Sequence, residues 1–224
     1  MARPENPLIV QHSSPATYGI VAVNVIVFVL LELAGGSGNI GVLLRWGAKF
    51  TPLIRSGEWW RMITSMFLHS GVIHLAVNSY SLYNLGGLAE RLFGTVRFIP
   101  IYLVSGLWGS IASTLFSDLM GVGIGASGAI FGVAGCLFYF GAAYPRHFSV
   151  LAGKRFIAVV AANLVIGFAA GGIDAYAHVG GLIGGFAASA ALGFPYETPE
   201  PYRGVLEIAF GLATAVGLFF AISG

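Results

Sequence analysis

The chain has little charge and almost no cysteine. Of its 224 residues only 9% are Asp, Glu, Lys or Arg while 57% are hydrophobic, and the mean hydropathy is +0.84; a soluble globular domain carries about a quarter charged residues. That scarcity excludes an ordinary water-soluble fold and points to a polytopic membrane protein. Eleven Lys and Arg stand against nine Asp and Glu, a net charge of +2, with no clustered basic face, so a nucleic-acid partner is not expected. One cysteine, Cys136, excludes an internal disulfide and any multi-cysteine metal or iron–sulfur site. None of the five histidines, His12, His69, His74, His147 and His178, stands in a His-Glu-x-x-His pair, which removes the membrane metalloproteases. Residues 1–17 lack the basic region, short apolar core and small-residue cleavage site of a signal peptide. The first apolar run is therefore expected to be retained as a span.

What the chain does have is long apolar runs. A bilayer-spanning helix takes roughly 20 mostly apolar residues, and that window gives seven candidates, near 18–36, 70–91, 97–116, 123–143, 155–172, 176–194 and 204–222. Little is left for a soluble domain beyond the loops. The long connection from Ser37 to His69 carries Trp46, Trp59 and Trp60, rings suited to the headgroup region, and is expected to be partly interfacial. The linker Pro195–Arg203 sets off the last apolar segment, which carries no evident reactive group and reads as an appendage. With a cytoplasmic amino terminus the inner segments collect Arg3, Arg91, Arg97, Arg146, Lys154, Arg155 and Arg203, against Arg45, Lys49, Arg55 and Arg61 outside. This asymmetry favours that orientation and makes spans two, four and six run from outside inward.

Polar groups in hydrocarbon are costly unless paired, so those within spans are functional candidates that face the bundle interior. His74 and Asn78 fall early in span two, Ser127 early in span four and His178 early in span six, all at one depth near the outer face. His74 and Asn78 are four apart and share a helix face. Ser127 lies in Gly123-Ile-Gly-Ala-Ser-Gly128, where small residues admit a close backbone and a starting helix presents unpaired N–H groups. Gly128, Gly132 and Gly135 form a small-residue stripe on span four, and Ala177, Gly181 and Gly185 another on span six, the pattern by which membrane helices pack backbone to backbone. Such packing would set Ser127 beside His178. A serine hydroxyl needs a neighbouring base to become a nucleophile, and His178 suits that part. Asn78, His74 and the Ser127 backbone N–H are candidate donors to a tetrahedral oxyanion. Asp174, one turn before His178, is the nearby carboxylate and reads as a loop or cap residue, leaving a Ser–His dyad.

At this point the residues resemble the rhomboid proteases. The resemblance rests on five ordered motifs across about Glu58 to Ala188: Glu58-Trp-Trp-Arg61; His69 followed by His74-Leu-Ala-Val-Asn78; Glu90-Arg-Leu-Phe-Gly94; Gly125-Ala-Ser-Gly128; and Ala177-His178-Val-Gly-Gly181 with Gly185. It implies an all-α polytopic fold: a cytoplasmic tail 1–17, a six-helix catalytic core 18–194, a linker 195–203 and an additional span 204–224. It also implies an integral membrane enzyme, in the plasma or inner membrane if bacterial, that cleaves single-span membrane proteins in or near their transmembrane segment with no metal or cofactor. By position Ser127 matches the nucleophile, His178 the base, and His74 and Asn78 the oxyanion-binding side chains. His69 matches a structural or supporting histidine, and Glu58 with Arg61 a loop-stabilising pair. Gly125, Gly128 and Gly181 belong to the supporting frame. Phe131 stands where some members have a tyrosine against the catalytic histidine, keeping a ring but no hydroxyl. Glu90 and Arg91 are expected as loop and interface charges.

Rival readings leave part of this pattern unused. A haem or quinone carrier could ligate through His74 and His178 but would not need the Gly-Ala-Ser-Gly element. A transporter would show broken helices repeated in two halves, and no such repeat is seen. A rhomboid-like protein that binds membrane clients without cutting them is the strongest alternative, and retention of both Ser127 and His178 argues against it.

Overall fold

Backbone in hydrocarbon has to satisfy its own N–H and C=O groups, which a helix does within one segment. The computed structural model, which describes residues 9–169, 173–197 and 202–224, turns the apolar runs into helices. In chain order these are α1 (Pro15–Leu33), α2 (Ile40–Arg45), α3 (Thr51–Arg55), α4 (Arg61–Thr64), α5 (Gly71–Ser81), α6 (Gly87–Phe93), α7 (Thr95–Phe116), α8 (Ser127–Ala143), α9 (Pro145–Leu151), α10 (Gly153–Ala169), α11 (Ala175–Leu192) and α12 (Arg203–Ser223). The strands β1 (Lys49–Phe50) and β2 (Val122–Gly123) form one antiparallel pair, Lys49 opposite Gly123 and Phe50 opposite Val122.

Among the described residues α1, α7, α11 and α12 are each long and apolar enough to cross a membrane. The protein is an all-α, multi-pass membrane protein. Three expected spans are less regular than the sequence suggests. Span two is α5 joined to α6 through a π-helical turn at Leu82–Gly86. Span four starts at Ser127 rather than near residue 123, because Val122 and Gly123 pair with β1 and Gly125 takes φ +109°. Span five, expected over 155–172, is α10, which a 76° bend at a junction where Gly153 takes φ +64° sets off from α9. The end of that expected span, 170–172, lies outside the described residues, as do residues 1–8 of the expected tail and 198–201 of the linker.

The bundle centre is α7, α8 and α11, and glycine sets how close they come. A Cβ on Gly181 would overlap the Gly128 carbonyl oxygen, one on Gly185 the Gly132 carbonyl oxygen, and one on Gly135 the Leu182 carbonyl oxygen. On the third helix, a Cβ on Gly109 would stand 2.7 Å from the Ala177 carbonyl oxygen. The two small-residue stripes do meet backbone to backbone, as their spacing predicts. Towards the other end of the bundle, Phe93, Phe98, Tyr102, Leu137, Phe140 and Phe194 fill a buried aromatic and aliphatic core.

The first loop is a folded unit with its own small core of Leu31, Val42, Leu43, Ala48 and Leu68. Trp46, Trp59 and Trp60 remain exposed on it, consistent with an interfacial position. Glu90 departs from expectation: it is fully buried, because the start of α1 needs acceptors for its free N–H groups. Its carboxylate accepts from Ala16 N at 2.9 Å, Thr17 N at 2.8 Å, Thr17 Oγ1 at 2.8 Å and Thr95 Oγ1 at 2.7 Å. The last helix, α12, packs on α3, α7 and α11. Trp108 on α7 holds it by donating Nε1–H to Thr214 Oγ1 at 2.9 Å and by stacking on Phe210.

Candidate active site

The site begins with the turn that launches α8. Gly125 donates its N–H to the Ser65 carbonyl oxygen at 2.9 Å, and its positive φ, which L side chains avoid, lets the chain swing from β2 into the helix. Ser127 is thereby the first residue of α8, where backbone N–H groups lack partners within the helix. Across the α8–α11 contact, His178 Nε2 lies 3.0 Å from Ser127 Oγ. To accept the hydroxyl proton Nε2 must be unprotonated, which puts the ring proton of neutral His178 on Nδ1. Nδ1 is buried with no partner. The ring is held instead by Phe131, one turn after Ser127, which stacks on it with centroids 4.1 Å apart and planes 13° apart.

Asp174 is the N-cap of α11 and is fully used elsewhere. Its Oδ1 accepts from Ala177 N at 3.0 Å and Ser117 Oγ at 2.7 Å, and its Oδ2 accepts from Ser113 Oγ. The cap reading of Asp174 therefore stands, and no carboxylate orients the imidazole among the described residues.

His74 and Asn78 open on the same cavity as Ser127 and His178, a space of about 500 Å³ also lined by Lys49, Asn163 and Asp174. Ser70 N–H approaches His74 Nδ1 at 3.4 Å, which leaves Nε2 as the protonated nitrogen of a neutral ring. That Nε2 faces Gly125, where a Cβ would come within 2.7 Å of it. Asn78 gives one Nδ2 hydrogen to the His74 carbonyl oxygen at 2.9 Å and keeps the other. His69 is fully buried behind this front, its Nε2 3.5 Å from Ala126 N and its ring 5.2 Å, edge-on, from that of His74.

Farther out, Arg61 fastens the first loop. Its Nε and Nη2 donate to Glu58 Oε2 at 2.8 and 2.6 Å, and Nη1 reaches the Leu44 and Ala48 carbonyl oxygens at 2.7 and 3.0 Å. Gly128 and Gly181 act through the helix contact already described. Of the expected residues, His74, Asn78, Gly125, Ser127, Gly128, Phe131 and His178 line the cavity, and His69, Gly181, Glu58 and Arg61 lie outside its wall. Sequence reasoning missed Lys49 and Asn163 as cavity residues, and Ser113 and Ser117 as partners of Asp174. Lys49 carried no signal beyond its place three residues before the apolar Pro52-Leu-Ile54 stretch. The β1–β2 pairing that carries it to the cavity had none.

The chain is similar to known proteins over most of its length. The Rhomboid domain model matches residues 56–194. The chain is 43% identical over 211 residues to Rhomboid protease GluP of Bacillus subtilis (strain 168), covering 94% of this chain and 41% of that protein. It is 37% identical over 139 residues to RHOMBOID-like protein 6, mitochondrial, of Arabidopsis thaliana, covering 60% of this chain and 44% of the relative. With Putative rhomboid protease YdcA of Bacillus subtilis (strain 168) the identity is 36% over 133 residues, 59% of this chain and 67% of the relative. The chain therefore spans less than half the length of the first two. A domain match over residues 56–194 that takes in every motif from Glu58 to Gly185, with relatives that carry the same family name, means that this chain belongs to the rhomboid family.

Proposed function

We propose that the chain is an intramembrane serine endopeptidase that cuts single-span membrane proteins in or beside their transmembrane segment. The observation that carries this reading is the 3.0 Å approach of His178 Nε2 to Ser127 Oγ in a cavity shared with His74 and Asn78. His178 takes the Ser127 proton as Oγ attacks the scissile carbonyl. The oxyanion that forms is met by the Ser127 backbone N–H, the remaining Asn78 amide hydrogen and His74 Nε2–H. His178 then protonates the leaving amine, and water entering the cavity hydrolyses the acyl-enzyme with His178 again as base. A dyad suffices because Phe131 orients the ring that a carboxylate would hold in a triad. The excess of Lys and Arg on one set of loops supports a cytoplasmic amino terminus and a cavity opening on the outer face.

The test is cleavage of a tagged single-span substrate in liposomes by the wild type, Ser127→Ala and His178→Ala, with a chelator present throughout. Cleavage lost in both variants is expected. A folded wild type that binds several helix-destabilised clients and cuts none would overturn the protease reading.

A further inference from the structure

Lys49 is the odd member of the cavity. It is only 3% exposed, and lysine is almost never buried to that degree unless paired. Its stem crosses the face of its strand partner: a Cβ on Gly123 would come to 3.0 Å from Lys49 Cδ. The absence of that Cβ leads the side chain over the β1–β2 pair to the wall it shares with Ser127, His74, Asn78 and His178. The ion pairs among the described residues are Arg61–Glu58 and Arg203–Glu197, so no described carboxylate lies within ion-pair distance of it. Asp174 and Asp118 act on Lys49 only at longer range. Asp174 already accepts from three donors, and Asp118 accepts from Met120 N at 3.0 Å. Burial pushes the Lys49 ammonium below the usual lysine range, with those two carboxylates opposing the shift. A cation held in a cavity wall without a counter-ion is costly, and an anion arriving with the ligand removes that cost.

We propose that Lys49 is a specificity-determining residue whose ammonium receives a carboxylate side chain carried by the client close to the scissile bond. The inference rests on the proposed Ser127–His178 dyad for where that bond lies. A client carboxylate finds in Lys49 a partner in a site from which the client itself displaces water, where the attraction is stronger than at a surface. A client lysine at the same point meets a like charge.

Binding reads this without depending on the cut. Fluorescent single-span clients carrying Glu, Gln or Lys at each position flanking a small residue are titrated into Ser127→Ala protein in nanodiscs of zwitterionic lipid. At one position Glu is expected to bind on the order of tenfold tighter than Lys, with Gln between. That ordering should collapse in both Ser127→Ala/Lys49→Met and Ser127→Ala/Lys49→Gln, two uncharged replacements of which one keeps the chain length and the other a polar tip. Identical ratios with and without Lys49 would overturn the inference. Wild-type cleavage of the same clients reports separately on the dyad: Glu-selective binding without cleavage overturns the dyad, and charge-blind binding with cleavage overturns the role of Lys49. Selectivity unchanged in discs containing phosphatidylglycerol supports the client as the source of the anion, whereas its loss there would give the site to a lipid phosphate.

Discussion

Single residues set the geometry of the reacting groups, and Gly125 is the most exacting of them. Alanine there would carry a Cβ to 2.7 Å from His74 Nε2 at a backbone φ of +109°, so either the turn or the imidazole must move. Gly125→Ala is expected to lower kcat by on the order of 10²-fold, the scale of losing one oxyanion donor, with the helical circular dichroism unchanged; a variant with wild-type kcat would remove His74 from the oxyanion site. Asp174 makes the opposite case. Replacing a capping Asp by Ala costs about 1 kcal/mol, so Asp174→Ala should lower Tm. Asp174→Asn, which keeps an acceptor oxygen, should leave the pH–rate profile in place. A displaced profile in Asp174→Asn would mean that the carboxylate does act on His178. Both residues show what a sequence can disclose at this scale. His74, Asn78, Ser127 and His178 were legible because a polar group inside an apolar run has few reasons to be there. Lys49 was not, because a lysine in a loop is ordinarily solvated and only the two-residue strand pair makes it a cavity residue.

At the scale of elements, the α8–α11 contact decides whether the proposed dyad can form. Gly181→Val would drive a branched side chain into the Gly128 carbonyl, two backbones that cannot separate without parting Ser127 from His178. Overpacking of this kind costs about 1–3 kcal/mol or more. Gly181→Val is therefore expected to lose cleavage and to melt lower, while Gly211→Val on α12, where a Cβ would meet nothing within 4 Å, should match the wild type in both. Equal behaviour of the two would show that the contact is looser than its carbonyl–glycine spacing implies. The stripes on α8 and α11 were readable from their three- and four-residue spacing. The irregular elements were not: hydropathy averages over a window, so it passes through the π turn at Leu82–Gly86 and the strand that delays α8, and it does not register the 76° bend that precedes α10. Each of these depends on partners distant in sequence or on a single glycine dihedral.

For the whole molecule, the question is what α12 adds to the helices before it. Its apolar window is only 6% buried, and Trp108, Thr214 and Phe210 tie it to α7 beside a cavity that shares no lining residue with that of Ser127. A chain ended after Tyr202 is expected to retain kcat within about twofold while melting lower, since a stacked aromatic pair such as Trp108–Phe210 stabilises a fold by about 0.5–1.5 kcal/mol beyond its area. A truncated protein that stays folded yet cuts nothing would make α12 part of the proposed catalytic unit. The carboxylate of Glu90 imposes an order of assembly on the same molecule. The N–H groups that open α1 find their acceptor only 73 and 74 residues later in the chain. During synthesis the first span thus enters the bilayer with its leading turn unfinished, and it is completed only once the second span has crossed. Until then the nascent protein holds a helix end at the membrane boundary whose N–H groups must find water or another temporary acceptor.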